Sequence, residues 1–222
     1  MAGTPFVLQL LNACAALLLL LSFSMLSQRR IVTLVNLLAM QGGLLFVATL
    51  LLAWRTGQSH LYLSAALTLL LKVILLPWLL HRMIRRLEVY WDTEPLINTA
   101  GTMLAGVVTV VFAFGLAQPI AALASTAMRN AIGIALAVIL LAFITMITRR
   151  KAMSQVVGFL SMENGLFFGA MSATYGMPMI VELGVALDVL VAMLVLGVFF
   201  FQIREQFDSL DLHHLESLRE DQ

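Results

Sequence analysis

Seven apolar stretches, each about 20 residues long, fill almost the whole of this chain of 222 residues. They run from Pro5 to Leu26, Ile31 to Trp54, Leu61 to Leu80, Leu96 to Ala117, Ala127 to Ile147, Ala152 to Tyr175 and Met179 to Ile203. A helix rises about 1.5 Å per residue, so each stretch is long enough to cross a hydrocarbon core about 30 Å thick. The pattern predicts an all-α integral membrane protein with seven transmembrane helices. The first stretch is long and has no basic residue before it, which marks a retained helix rather than a cleaved leader.

The polar residues between these stretches are sorted by charge. If the N-terminus lies outside, the inner loops and tail hold Arg29, Arg30, Arg82, Arg85, Arg86, Arg149, Arg150, Lys151, Arg204 and Arg219. The outer loops hold Arg55 and Arg129, and Lys72 lies inside a span. That asymmetry places the N-terminus outside and the C-terminus inside. Trp54, His81, Tyr90 and Trp91 fall at span ends, where amphipathic rings favour the membrane interface. The tail, residues 204–222, is polar and acid-rich, with Phe207, Leu210, Leu215 and Leu218 on one helical stripe. Its carboxylates are repelled by anionic lipid, so the expected surface for it is a partner protein.

Two segments look alike. Arg29-Arg30 followed by Met40-Gln41-Gly42-Gly43 matches Arg149-Arg150 followed by Met162-Glu163-Asn164-Gly165. The expected organisation is two parallel three-helix units joined by one extra helix. Residues 1–80 form the first unit, 81–126 a cytoplasmic loop and linker helix, 127–203 the second unit, and 204–222 the tail. The repeat makes Gln41 the counterpart of Glu163, an amide where the other unit has an acid.

Composition narrows the chemistry. A chain that is 61% hydrophobic, with mean hydropathy +0.99, leaves no room for a separate soluble domain. One cysteine, Cys14, excludes an iron–sulfur cluster bound by this chain alone. The histidines, His60, His81, His213 and His214, lie at span ends or in the tail, where they cannot serve as axial ligands of haems inside the bundle. No cofactor, metal site or catalytic residue is therefore expected, and any redox chemistry belongs to a partner.

Four ionisable residues lie within the apolar stretches: Lys72, Glu163, Glu182 and Asp188. A charge at such depth costs at least about 2.5–3.5 kcal/mol unless it is compensated. Counting about 1.5 Å per residue puts Glu163 roughly 18 Å, and Lys72 roughly 14 Å, from the inner boundary. Asp188 lies about as deep from the outer side, and Glu182 sits close to the outer rim. Burial disfavours the charged form of an acid or base, whereas an opposite charge nearby favours it. A lysine that changes partners therefore changes which acid holds a proton, the basis of a relay. A static ion pair that fixes helix register is the competing reading. Gln41 and Asn164 are supporting polar groups, Pro77 is a potential kink in the third helix, and the glycines after Gln41 and Glu163 suit close helix packing.

These residues resemble a known family. Leu71-Lys72-Val73-Ile74-Leu75-Leu76-Pro77, Met162-Glu163-Asn164-Gly165, the run from Val181 to Asp188, and Leu210-Asp211-Leu212 with Leu215 and Leu218 are similar, in order, to hydrogenase-4 component E. The resemblance implies a non-catalytic membrane subunit of a group 4 energy-converting oxidoreductase related to respiratory complex I. It implies a multi-pass location in the inner (cytoplasmic) membrane. The expected partners are antiporter-like and other membrane subunits, a peripheral redox module and the lipid bilayer, with no nucleic acid. By that resemblance Glu163 is the axis carboxylate, with Lys72 and Asp188 as its candidate neighbours and Glu182, at the rim, a further member of the expected relay. Gln41 departs from the pattern, since an acid there would complete the first unit. A stand-alone ion-coupled transporter and a purely structural assembly subunit are the alternatives.

Overall fold

The computed structural model describes residues 4–87, 98–122 and 126–174, with the single positions 184, 190 and 197. The described residues are helical almost throughout. The helices are α1 (Thr4–Ser27), α2 (Ile31–Thr56), α3 (Ser59–Thr68), α4 (Leu76–Leu87), α5 (Thr99–Ala122), α6 (Thr126–Thr148) and α7 (Ala152–Thr174). A π-helical segment, Leu69–Leu75, runs without a break between α3 and α4. Six spans among the described residues are long and apolar enough to cross a membrane, and α3, the π segment and α4 together make one of them, Ser59–Arg86. The seventh expected span and the amphipathic tail lie outside the described residues, apart from the three single positions. So do Tyr90 and Trp91. Contact density divides the chain into two compact units, Met1–Asp188 and Val189–Gln222, of which the second is described at Leu190 and Gly197 alone.

Chain punctuation follows local chemistry. Gly57 takes φ 67°, a left-handed conformation, and its N–H bonds the Ala53 carbonyl to close α2. The π segment lies just before Pro77, which has no N–H to donate. The N–H of Leu76 reaches back five residues to the Leu71 carbonyl. A π turn at this point accommodates the proline inside a continuous span, where a kink was the expectation.

Packing relies on small residues because lipid supplies no hydrophobic drive between helices. On α7, Gly158, Gly165 and Gly169 meet Met146, Val138 and Ala135 of α6, each within 3 Å of where a Cβ would sit. Any side chain there would push the two helices apart. Gly106 of α5 is held in the same way against Leu26 and Phe23 of α1. Helices α1, α2, α6 and α7 share an apolar core that includes Leu18, Leu45, Leu52, Val138 and Phe168. Helix α5 turns Leu104, Val108, Val111 and Phe112 outward, the surface expected against acyl chains.

One end of the bundle gathers basic residues. The Arg29 guanidinium donates to the Thr99 hydroxyl at 3.0 Å, which places the α1–α2 turn beside the start of α5. Arg149 is buried and donates to the carbonyls of Met25 and Leu26 at 3.4 and 3.0 Å. It caps α1, whose last turn holds no basic residue of its own. A guanidinium there satisfies terminal carbonyls and complements the negative end of the helix dipole. The sequence places Arg149 in an ordinary inner loop; the structure gives it this internal partner.

Candidate functional site

The geometry of the site begins with Gly42. A Cβ at Gly42 would lie 2.9 Å from the Lys72 Cβ and 3.1 Å from the Lys72 carbonyl. Only glycine lets α2 come so close to the π segment. Lys72 sits thirteen residues after Ser59 and fourteen before Arg86, at the middle of its span. Glu163 sits eleven residues after Ala152 and ten before Ala173, at the middle of another. The structure brings these two midpoints together across 91 positions of sequence: Lys72 Nζ donates to Glu163 Oε1 at 3.1 Å. Both side chains are about 3% exposed, so water at the protein surface does not compensate the charges.

Amides complete the compensation. Lys72 Nζ also donates to Asn164 Oδ1 at 3.0 Å. The Asn164 amide donates in turn to Gln41 Oε1 at 3.3 Å. Gln41 Nε2 donates to the Ser22 hydroxyl at 2.8 Å, which donates in turn to the Leu18 carbonyl at 2.9 Å. The result is one buried chain from α1 through α2 and α7 to the π segment. The Phe167 ring, one turn beyond Glu163, lies with its centroid 5.4 Å from Lys72 Nζ and adds a cation–π contact. A Cβ on Gly184 would lie 2.6 Å from the same ring. The segment that carries Glu182 and Asp188 therefore touches the wall of the site at Gly184. Glu182 and Asp188 themselves lie outside the described residues.

Gln41 is thus linked to Glu163 through Asn164 and Lys72. Helices α2 and α7 run parallel here. Asn164 meets Gln41 and Met171 meets Thr49, whose hydroxyl lies 3.3 Å from the sulfur. Ser22 is the member that sequence reasoning missed; a serine in an apolar helix carries no distinguishing signal. Two hydroxyl columns also went unread. Ser64, Thr68 and Lys72 are buried at intervals of four on the third span, and Ser154 and Ser161 are buried on α7 before Glu163. Ser64, Ser154 and Ser161 have no hydrogen-bond partner among the described residues. No cluster of three or more metal-ligating side chains occurs among the described residues.

The chain as a whole has relatives among known proteins. The chain is 37% identical over 212 residues to uncharacterized protein Rv0085 of Mycobacterium tuberculosis, covering 95% of this chain and 96% of that protein. The chain belongs to the family of that mycobacterial protein. It is also 26% identical over 175 residues to hydrogenase-4 component E of Escherichia coli K12, covering 79% of this chain and 76% of the relative. Hydrogenase-4 component E of Shigella flexneri is similar to the same extent. No family model and no solved structure matches the chain. The distant similarity and the membrane-helical fold fit a complex I-like membrane subunit.

Proposed function

We propose that this chain is a non-redox membrane subunit of a complex I-related, hydrogenase-4-type oxidoreductase, and that Lys72 and Glu163 form part of a proton relay through it. One observation carries the reading: a lysine and a glutamate, each at the midpoint of its span, meet in a buried amide-lined site on a π segment. Midplane acids and bases in membranes mark ion and proton pathways, and π turns concentrate at functional sites. Taking two charges out of water offsets much of their attraction, so such a pair is poor stability engineering. Its use is a change of state: when Lys72 leaves Glu163, the carboxylate takes up a proton.

Asp188 and Glu182 are the proposed alternative partners, because Gly184 between them packs on the ring that lies near Lys72. The hydroxyls of Ser64 and Thr68 continue the polar column from Lys72 toward one face of the membrane. On α7, Ser161 lies one turn before Asn164, and Ser154 two turns before Ser161, toward the other face. The partners proposed are antiporter-like membrane subunits and a peripheral redox module, and the location is the inner membrane.

The test is Glu163→Gln in the assembled complex, which preserves volume and hydrogen bonding but removes the titrating proton. The relay reading expects a complex that still assembles, with proton movement per redox turnover reduced at least about ten-fold, a change of about 1.4 kcal/mol in the controlling step. Unchanged coupling in an assembled complex would sink it and leave Glu163 as a structural residue.

A further inference from the structure

The third span is longer than the membrane core requires, and its excess marks a site. Its 28 residues, Ser59–Arg86, extend about 42 Å against a hydrocarbon thickness of about 30 Å. The arginine end must therefore stand at headgroup level. On the outer side of this end a groove of about 660 Å³ opens between the start of α2 and the third span. On the third span its core-depth wall is Val73 and Ile74, then Trp78, and its rim is His81 and Arg85, with Val32 at the start of α2 level with that rim. Ile74 and Trp78 are more than half exposed, so the groove faces the bilayer and not the bundle.

We infer that this groove is a binding site for one anionic phospholipid, with its phosphate at Arg85 beside His81 and an acyl chain along Val73, Ile74 and Trp78. Charge and depth vary together along the groove in the same order as in a phospholipid: apolar at core depth, aromatic at the interface, cationic at the headgroups. The rim chemistry is prepared for an anion. His81 Nδ1 lies 2.7 Å from the Pro77 carbonyl, which can only accept, so Nδ1 carries the hydrogen. The other ring nitrogen is then a lone-pair acceptor, so the cation that the rim offers a phosphate is Arg85. The Arg82 guanidinium packs over the Trp78 ring at 5.5 Å, which holds the indole at this wall and adds a further positive charge beside it. Basic pockets between helices at the membrane surface suit anionic headgroups, each basic residue contributing about 1 kcal/mol. Val73 and Ile74 belong to the π segment and follow Lys72 directly, so a bound acyl chain braces the outer side of the turn that positions the lysine.

The experiment uses native membranes containing the full chain with whatever partners it has. Phosphatidylglycerol carrying a photoreactive diazirine in one acyl chain is compared with the matching phosphatidylcholine, and cross-linked peptides are mapped by mass spectrometry. The expected result is labelling within residues 73–78 at least about five-fold stronger from phosphatidylglycerol, the ratio that about 1 kcal/mol gives. His81→Gln combined with Arg85→Gln should bring that ratio to about one, and Arg85→Lys alone should retain it. Equal labelling by both lipids in the unaltered chain overturns the inference without recourse to any variant. So does a preference that survives the double substitution. Competition by inorganic phosphate as effective as competition by unlabelled phosphatidylglycerol also overturns it, because the acyl chain would then contribute nothing.

Discussion

Glu163 and Lys72 could be singled out from sequence because a charge inside an apolar stretch is conspicuous at any depth, and depth can be counted. Their meeting could not, since 91 intervening positions hide which spans are neighbours. Asn164 and Gln41 were visible only as polar side chains, and their reciprocal amide contact needed the fold. Ser22 and the buried hydroxyls gave no signal because serine and threonine bond their own helix carbonyls in any membrane span, as Thr49 and Thr145 do here. Two outcomes follow at this scale. Lys72→Met strands a buried carboxylate and should destabilise the extracted protein by about 3–5 kcal/mol if the acid stays charged. Adding Glu163→Gln to Lys72→Met removes that charge, and the double variant should be more stable than Lys72→Met alone. Thermal unfolding in mild detergent reads the difference, and strict additivity would show that the two side chains do not interact. Separately, Arg149→Met deletes charge-assisted bonds to two α1 carbonyls. It should cost about 1–3 kcal/mol in the same assay, with earlier proteolysis near residues 27–30.

Elements were the most readable level. Runs of apolar residues located six spans, because a membrane helix must be apolar on every side over a length set by the bilayer, but the third runs on to Arg86, six residues past the expected end at Leu80. The π segment was not readable. Hydropathy records how apolar a stretch is and says nothing about whether each carbonyl bonds four or five residues ahead. Pro77 was the one hint, and it suggested a kink. Gly42 was expected to serve packing, and it does, against the backbone of the lysine itself. This makes Gly42→Ala a sharp probe of the element. The added methyl would sit 2.9 Å from the Lys72 Cβ and 3.1 Å from its carbonyl, so the π segment must move away. Such overpacking typically costs about 1–3 kcal/mol. It should also weaken coupling in a complex that still assembles, because the displacement carries Lys72 from Glu163. Gly43→Ala, whose Cβ meets nothing within 4 Å, is the matched control and should leave both properties unchanged.

At the scale of the whole molecule, the buried network sets the expectation for how the chain behaves with and without partners. The amide-linked site joins α1, α2, the π segment and α7, and α2 meets α7 at pairs 122 and 123 positions apart in sequence. Helices α2 and α7 pack in parallel; in the duplicated architecture proposed for the chain, one unit keeps the acid and the other an amide. A proton that reaches Glu163 must still leave through neighbours, and a chain of this size offers few. The proposed remedy is continuity with other membrane subunits. Gentle extraction of a tagged chain should therefore recover it with larger membrane subunits and a peripheral redox module, at near-constant ratio across purification steps. Harsher detergent should release the chain and shorten its lifetime. The transporter alternative makes the opposite forecast. A chain purified alone would remain folded and, in sealed vesicles, would move a solute against its gradient when a proton gradient is imposed. Transport of that kind, abolished by Glu163→Gln, would keep the site and overturn the complex. Stable partners combined with vesicle inactivity would support the subunit reading.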